Sequence, residues 1–218
     1  MAVSRNRPAT PARRARRSAA EPAVPESRRR EILNKAVRLM EEKGFAAMSV
    51  RHVADALDFS KANFYHHVDS KEELLYDIFI DTLQYSLGHI EEIVASDQSM
   101  PDQLRALVAF YVSLMLDRRA VMLVWFKERA HLSDAHKKEV GRLEEEIGAR
   151  LERFYGSGIA AGHFMPMGLN VMRLAIFGMC FQLTKLHKRP DRAAAASITR
   201  QLQDLACGGL LAPAGHSL

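Results

Sequence analysis

The chain has two cysteines, one tryptophan and eight prolines in 218 residues. Two cysteines, Cys180 and Cys207, cannot build a disulfide framework, and both lie in apolar, helix-like surroundings where small thiols are usually buried. A reduced, cytoplasmic protein is the simpler expectation. A membrane-spanning run is also lacking. The most apolar stretch, Met165 to Leu183, is broken by Pro166, Asn170 and Arg173 and carries Gly168 and Gly178. No segment alternates apolar and polar residues long enough to suggest a strand, which points to an all-α chain.

Catalytic and metal-binding patterns are missing as well. There is no HExxH, CxxC, GxGxxG, P-loop or nucleophile elbow. The nine histidines are scattered, and His131 and His136 stand five apart, off a common helical face. Glu144, Glu145 and Glu146 read as the solvated side of a charged helix. The expectation is a protein that is not an enzyme and uses neither cofactor nor metal.

What is present is first of all an uneven charge. Residues 1–30 hold nine arginines against Glu21 and Glu26, a balance of +7, which leaves −2 for residues 31–218 of a chain whose net charge is +5. This arm also contains Pro8, Pro11, Pro22 and Pro25 and almost no large apolar residues. Residues 1–26 therefore read as a disordered basic arm. It can lie along phosphates or in a minor groove, or be a solvated tail; an organellar presequence is disfavoured by the prolines.

Residues 45–79 carry the most specific signal. Gly44 closes a helix whose apolar positions Ile32, Ala36, Leu39 and Met40 recur at helical spacing. Ser49 caps a very short second helix with Val53, Ala54 and Leu57 on one face. Asp58-Phe59 makes a turn, Ser60 is another cap, and Ser70 to Glu73 forms a capping box for the next helix. Helices of two turns are unstable alone, so two in succession need a special reason, and a helix-turn-helix facing a DNA groove is the usual one. The segment from Ser60 to about His67 supplies polar groups suited to that task. Asn63 and Lys61 can donate to base edges, and Lys61, Tyr65 and His66 can reach phosphates. With Ser49, Arg51, Ser60 and Lys71 they form the expected DNA-binding set. A solvated surface helix is the plainer alternative for the same residues taken alone.

Gly44-Phe45, Ser49-Val50-Arg51, Val53-Ala54, Phe59-Ser60-Lys61, Phe64-Tyr65 and Ser70 through Leu75 together resemble the N-terminal domain of TetR-family transcriptional regulators. The likeness covers residues 28–79. Asp58 departs from the glycine common in the family's turn, and Val68 from a common aromatic. The resemblance implies a three-helix DNA-binding head over 27–75 and a helical ligand-binding and dimerisation domain over 76–218.

The later sequence fits that division. Helices are expected from Ser70 to Ala95, from Ser99-Met100-Pro101 onward, over 118–131, from Ser133 or Asp134 to Gly156, from Pro166 to His187 and from Pro190 to Leu211. Tyr111, Met115, Met122, Trp125, Phe126, Phe177 and Phe181 are candidates to line an apolar ligand cavity, although such stripes are more often plain core. Arg129 can pair with an anionic group on a ligand, or with Glu128 or Asp134 on its own helix. The last two helices are apolar on more than one side and carry Ala175, Gly178 and Ala193 to Ala196, which suits a two-fold four-helix interface. TetR-like dimers generally form this way.

Residues 125–129, 162–164 and 188–190 are similar, more loosely, to the branch of the family that regulates steroid and fatty-acid catabolism, some of whose members sense acyl-coenzyme A thioesters. The expected protein is therefore a homodimeric repressor. It would bind double-stranded DNA at a palindromic operator, with reading helices about 34 Å apart. A hydrophobic or acyl-CoA-like effector would release it by differential affinity for two states, through the helix that begins at Ser70. The alternative is a ligand-independent architectural DNA-binding protein driven by the basic arm.

Overall fold

The computed structural model describes residues 26–57, 68–186 and 188–211. The elements, in chain order, are α1 (Glu26–Ala47), α2 (Val50–Asp55), α3 (Lys71–Val94), α4 (Met100–Asp117), α5 (Arg119–Glu128), α6 (Asp134–Ala160), α7 (Leu169–Phe181) and α8 (Arg192–Leu210). Short 3-10 turns follow α5 (Arg129–His131) and α7 (Gln182–Lys185). The fold is all-α. Among the described residues the only β-type pairing is an isolated bridge between Phe164 and Leu211.

The helix starts follow the caps read from sequence. Ser49 Oγ accepts from His52 N–H, and His52 Nδ1 accepts from Ser49 N–H, a reciprocal box that secures a helix of six residues. Ser70 Oγ accepts from Glu73 N–H at 3.0 Å, and Ser99 Oγ from Asp102 N–H at 3.3 Å with Pro101 in the first turn. Ser133 Oγ accepts from His136 N–H, so Ser133 rather than Asp134 caps α6. The helix expected to begin near Pro166 begins at Leu169, after a loop, and its last turns tighten into a 3-10 turn before His187.

Chain contacts divide the protein into two units, 1–81 with 123–140, and 82–122 with 141–218. In the first, Ile32, Ala36, Leu39 and Met40 of α1 are buried, as are Val53, Ala54 and Leu57 in and just after α2. Gly44 interrupts α1 at φ 74°, ψ 161°, a backbone conformation essentially confined to glycine. Lys71 Nζ donates to the Phe45 and Ala46 carbonyls just beyond this break, which gives those orphaned acceptors a partner. Phe79 packs against Trp125 with ring centroids 4.4 Å apart.

The second unit is built around α4, whose Leu104, Leu107, Val108, Tyr111, Leu114 and Met115 are all buried. Leu151, Phe154 and Tyr155 of α6, Met172, Ile176 and Cys180 of α7, and Ala206, Cys207 and Leu210 of α8 complete its core. Phe164 lies directly over Gly158, where an added Cβ would stand 2.1 Å from its ring. Met165 N–H donates to the Leu210 carbonyl at 2.8 Å, which ties the α6–α7 loop to the end of α8. Among the described residues no helix is long and apolar enough to cross a membrane.

Candidate functional site

The expected DNA-contacting residues fall in the first unit. Ser60, Lys61, Asn63, Tyr65 and His66, with the Asp58-Phe59 turn, lie outside the described residues, as do residues 1–25 of the basic arm. Three members of the set are described. Ser49 is engaged as the α2 cap, as above. Arg51 is exposed and stands 3.4 Å from Asp55 on the next turn, an arrangement that leaves its charge at the surface. Lys71 is tied to the Phe45 and Ala46 carbonyls, with its ammonium 4.6 Å from the centre of the Phe45 ring.

A set of polar contacts that sequence reasoning missed holds this unit together. Glu128 Oε1 accepts from Phe45 N–H at 3.2 Å, and the Phe45 ring stacks on His131 at 4.6 Å. Glu72 Oε1 accepts from Ser133 N–H at 2.9 Å and lies 2.7 Å from His136 Nδ1, while Tyr76 stacks on the same imidazole. Glu72, Glu73 and His136 thereby bring three possible ligand atoms within 4.8 Å of one another. These partners are at least 60 residues apart, so no local pattern announces them. Arg29 adds ion pairs to Asp77 at 3.4 Å and Asp81 at 3.9 Å, which join α1 to α3.

The candidate ligand residues divide between the units. Tyr111, Met115, Met122, Phe177 and Phe181 belong to the second and contribute to its core. Tyr111 meets Phe177 edge-on at 5.7 Å, and Phe177 stacks on Phe181 at 6.2 Å. Trp125, Phe126 and Arg129 belong to the first unit. There the Arg129 guanidinium lies 5.6 Å from the Trp125 ring, one helical turn away, and Phe126 is 52% exposed.

The second unit also holds polar groups that the sequence expectations did not include. Among the described residues, the hydroxyl of Tyr155, a residue 1% exposed, has no hydrogen-bond partner, and the Nε of Arg173 is likewise buried without one. Burial pushes the phenols of Tyr111 and Tyr155 well above the ordinary range, while the Arg173 charge pulls both downward. Burial also pushes the Cys180 thiol up to about 12 and raises Cys207. The sequence did contain a signal. Arg173 is a lone charge in an otherwise apolar helix.

A head with a short capped helix followed by a second capped start, joined to a larger helical body, matches known proteins along most of its length. The profile of the bacterial regulatory proteins of the tetR family matches residues 32–78, and that of the tetracycline repressor-like C-terminal domain matches residues 97–210. The chain belongs to the TetR family. It is a helix-turn-helix, DNA-binding transcriptional regulator in a family of regulatory proteins rather than enzymes, one in which dimers are typical.

Among similar proteins, the HTH-type transcriptional repressor KstR2 of Mycolicibacterium smegmatis is 24% identical over 191 residues, covering 87% of this chain and 93% of its own length. The structure of the ketosteroid transcriptional regulator KstR2 of Mycobacterium tuberculosis superposes with a TM-score of 0.76 at 21% identity, covering 87% of this chain and 98% of that one. AibR, crystallised with isovaleryl coenzyme A and operator DNA, gives a TM-score of 0.70 at 22% identity, covering 82% and 97%. At these identities the two structures share a fold with this TetR-family member. The KstR2 likeness agrees with the resemblance to steroid and fatty-acid regulators read from residues 125–129, 162–164 and 188–190.

Proposed function

We propose that this chain is a homodimeric repressor that occupies a palindromic operator and leaves it when a hydrophobic or acyl-CoA-like effector binds its body. The observation that carries this reading is a single uninterrupted helix, α3, whose residues 71–81 belong to the DNA-binding unit and 82–94 to the larger one. A helix shared in this way transmits a shift in one unit to the other, because its backbone hydrogen bonds resist bending. An effector with different affinities for two orientations of that helix then changes operator affinity by the same factor.

The roles of individual residues follow from chemistry. Asn63 and Lys61 read base edges; Tyr65, His66, Arg51 and Lys71 approach phosphates; Ser49 fixes the start of α2, and Ser60 belongs to the same DNA-contacting set. In the body, Tyr111, Met115, Met122, Phe177 and Phe181 supply an apolar lining, and Trp125, Phe126 and Arg129 are the remaining candidates for ligand contact. The similarity to KstR2 and to AibR, whose complex contains isovaleryl coenzyme A, supports an acidic, largely apolar effector of the acyl-thioester or steroid class.

The subunit interface is assigned to α7 and α8. Val171, Leu174 and Leu205 are 57%, 64% and 64% exposed on these helices, and Ala193, Ala194 and Ala196 are exposed beside them. Large apolar side chains in that number call for a cover, and small residues allow helices close approach.

Effector response is tested by titrating the protein bound to a labelled operator with acyl-coenzyme A thioesters and steroid acids. Release of the DNA by at least one of them is expected. Unchanged operator affinity across the panel would favour the ligand-independent architectural alternative.

A further inference from the structure

Two buried polar groups of the second unit lack a partner among the described residues, and they face the same neighbourhood. Arg173 sits on α7 one turn before Phe177 and two turns before Cys180, so the three share one side of the helix. Phe177 on that side contacts Tyr111 of α4 edge-on, and Cys180 is fully buried. Tyr155 comes from α6 into the same buried cluster as Tyr111, Met172, Ile176 and Cys180, with Phe177 packed against it. The Nε of Arg173 and the hydroxyl of Tyr155 thus bring two hydrogen-bond donors into an apolar core with nothing to receive them. Orphaned buried donors are rare and costly, and they persist where something outside the chain satisfies them.

We propose that Arg173 and Tyr155 receive the oxyanion of an otherwise apolar effector, with Tyr111 and Phe177 against its hydrocarbon portion. This rests on the ligand-responsive reading above and moves the anionic anchor from Arg129 to the core of the body. The Nε edge of a guanidinium meets a carboxylate or phosphate at two points, and a phenol adds a third bond. Burial keeps the Tyr155 phenol protonated, and therefore a donor, throughout the neutral range. A water molecule bridging the two groups would satisfy them without any preference for anions, so preference is the property to measure.

The test uses the full-length protein and titration calorimetry with dodecanoate, methyl dodecanoate, dodecanoyl-coenzyme A and lithocholate with its methyl ester. Wild type is expected to bind an oxyanion form at least ~10-fold more tightly than the matching neutral ester, the scale of one charge-assisted pair. The coenzyme A arm tells whether the anion is the acid's own carboxylate or the phosphates of a carrier. Arg173→Met is expected to abolish the preference and Tyr155→Phe to reduce it, with ester affinity unchanged within about twofold. Both variants are expected to melt at or above the wild-type temperature, because each removes an unpaired buried donor. No oxyanion preference in wild type, or a preference that survives Arg173→Met, overturns the proposal. Operator release by these ligands in wild type without any oxyanion preference would leave the regulatory reading standing while the anchor fell.

Discussion

Glu72 Oε1 stands 2.7 Å from Nδ1 of His136, a residue 64 positions later in the chain. The same oxygen accepts from Ser133 N–H at 2.9 Å, so one carboxylate fixes both the start of α6 and the imidazole in its first turn. Glu72→Ala leaves a backbone donor and a buried imidazole without their acceptor. The expected cost is about 1–3 kcal/mol, read as a lower urea midpoint at constant m-value. An unchanged midpoint would show that water replaces the carboxylate at no cost.

Gly44 offers a test of backbone strain separate from packing. At φ 74° its added Cβ would meet nothing closer than Glu128 Oε1 at 3.8 Å, an ordinary contact. Gly44→Ala should therefore cost about 1–3 kcal/mol through the backbone alone. Thermal melting of the variant checks this, and a loss below half that range would mean that α1 continues smoothly through residue 44.

Gly158 tests the opposite cause. Its backbone is helical, and the obstacle is the Phe164 ring, 2.1 Å from the position of an added Cβ. Gly158→Ala should destabilise by about 1–3 kcal/mol through overpacking. In the background of Phe164→Leu the same substitution should cost markedly less, a coupling that a double-mutant cycle measures directly.

Alkali provides a signed prediction for the body. Burial holds the Cys180 thiol up to about 12, against an ordinary value of 9.0, and raises the phenols of Tyr111 and Tyr155 in the same direction. Below pH 9 the thiol is protonated in both the folded and the unfolded chain, and its contribution is complete. Above pH 9 the unfolded chain loses that proton first, so stability falls with rising pH until the folded thiol ionises near 12, by up to about 1.4 kcal/mol per pH unit for each such group. Denaturation midpoints between pH 8 and 10.5 should decline, and Cys180→Ala should make the decline shallower. A flat profile would contradict the burial.

In the head, Asn63→Ala should relax base preference at one position of the operator and leave overall stability close to wild type. Lys71→Ala should behave differently. It removes the donor to the Phe45 and Ala46 carbonyls and, on the proposed reading, a charge that approaches phosphates, so affinity for all duplexes and thermal stability should fall together. Binding to operators carrying single base changes separates the two. An unchanged base preference in Asn63→Ala would remove that residue from the reading role.

The parts of this fold that were legible in sequence are local ones. Ser49 and Ser70 act within three residues of their own positions, so their caps could be placed without knowing anything distant. The apolar spacing of α1 and α4 likewise predicted which faces are buried. The pairing of Glu128 with Phe45 and of Glu72 with Ser133 could not be read, because those partners meet only through the tertiary fold. The same limit separates Arg129 from Arg173. A cation beside an aromatic patch stands out in sequence, but the guanidinium of Arg173 gains its interest from the Tyr111 and Tyr155 hydroxyls, which arrive from two other helices.

Sequence-specific DNA binding is the property on which the regulatory account stands. Selection of the full-length protein against a pool of random duplexes, followed by anisotropy titration of the recovered sequence and of a scrambled duplex at one salt concentration, measures it most directly. The account predicts a palindromic consensus bound ~10³-fold or more tightly than the scrambled duplex. Recovery of no consensus, with equal affinity for both duplexes, would contradict it.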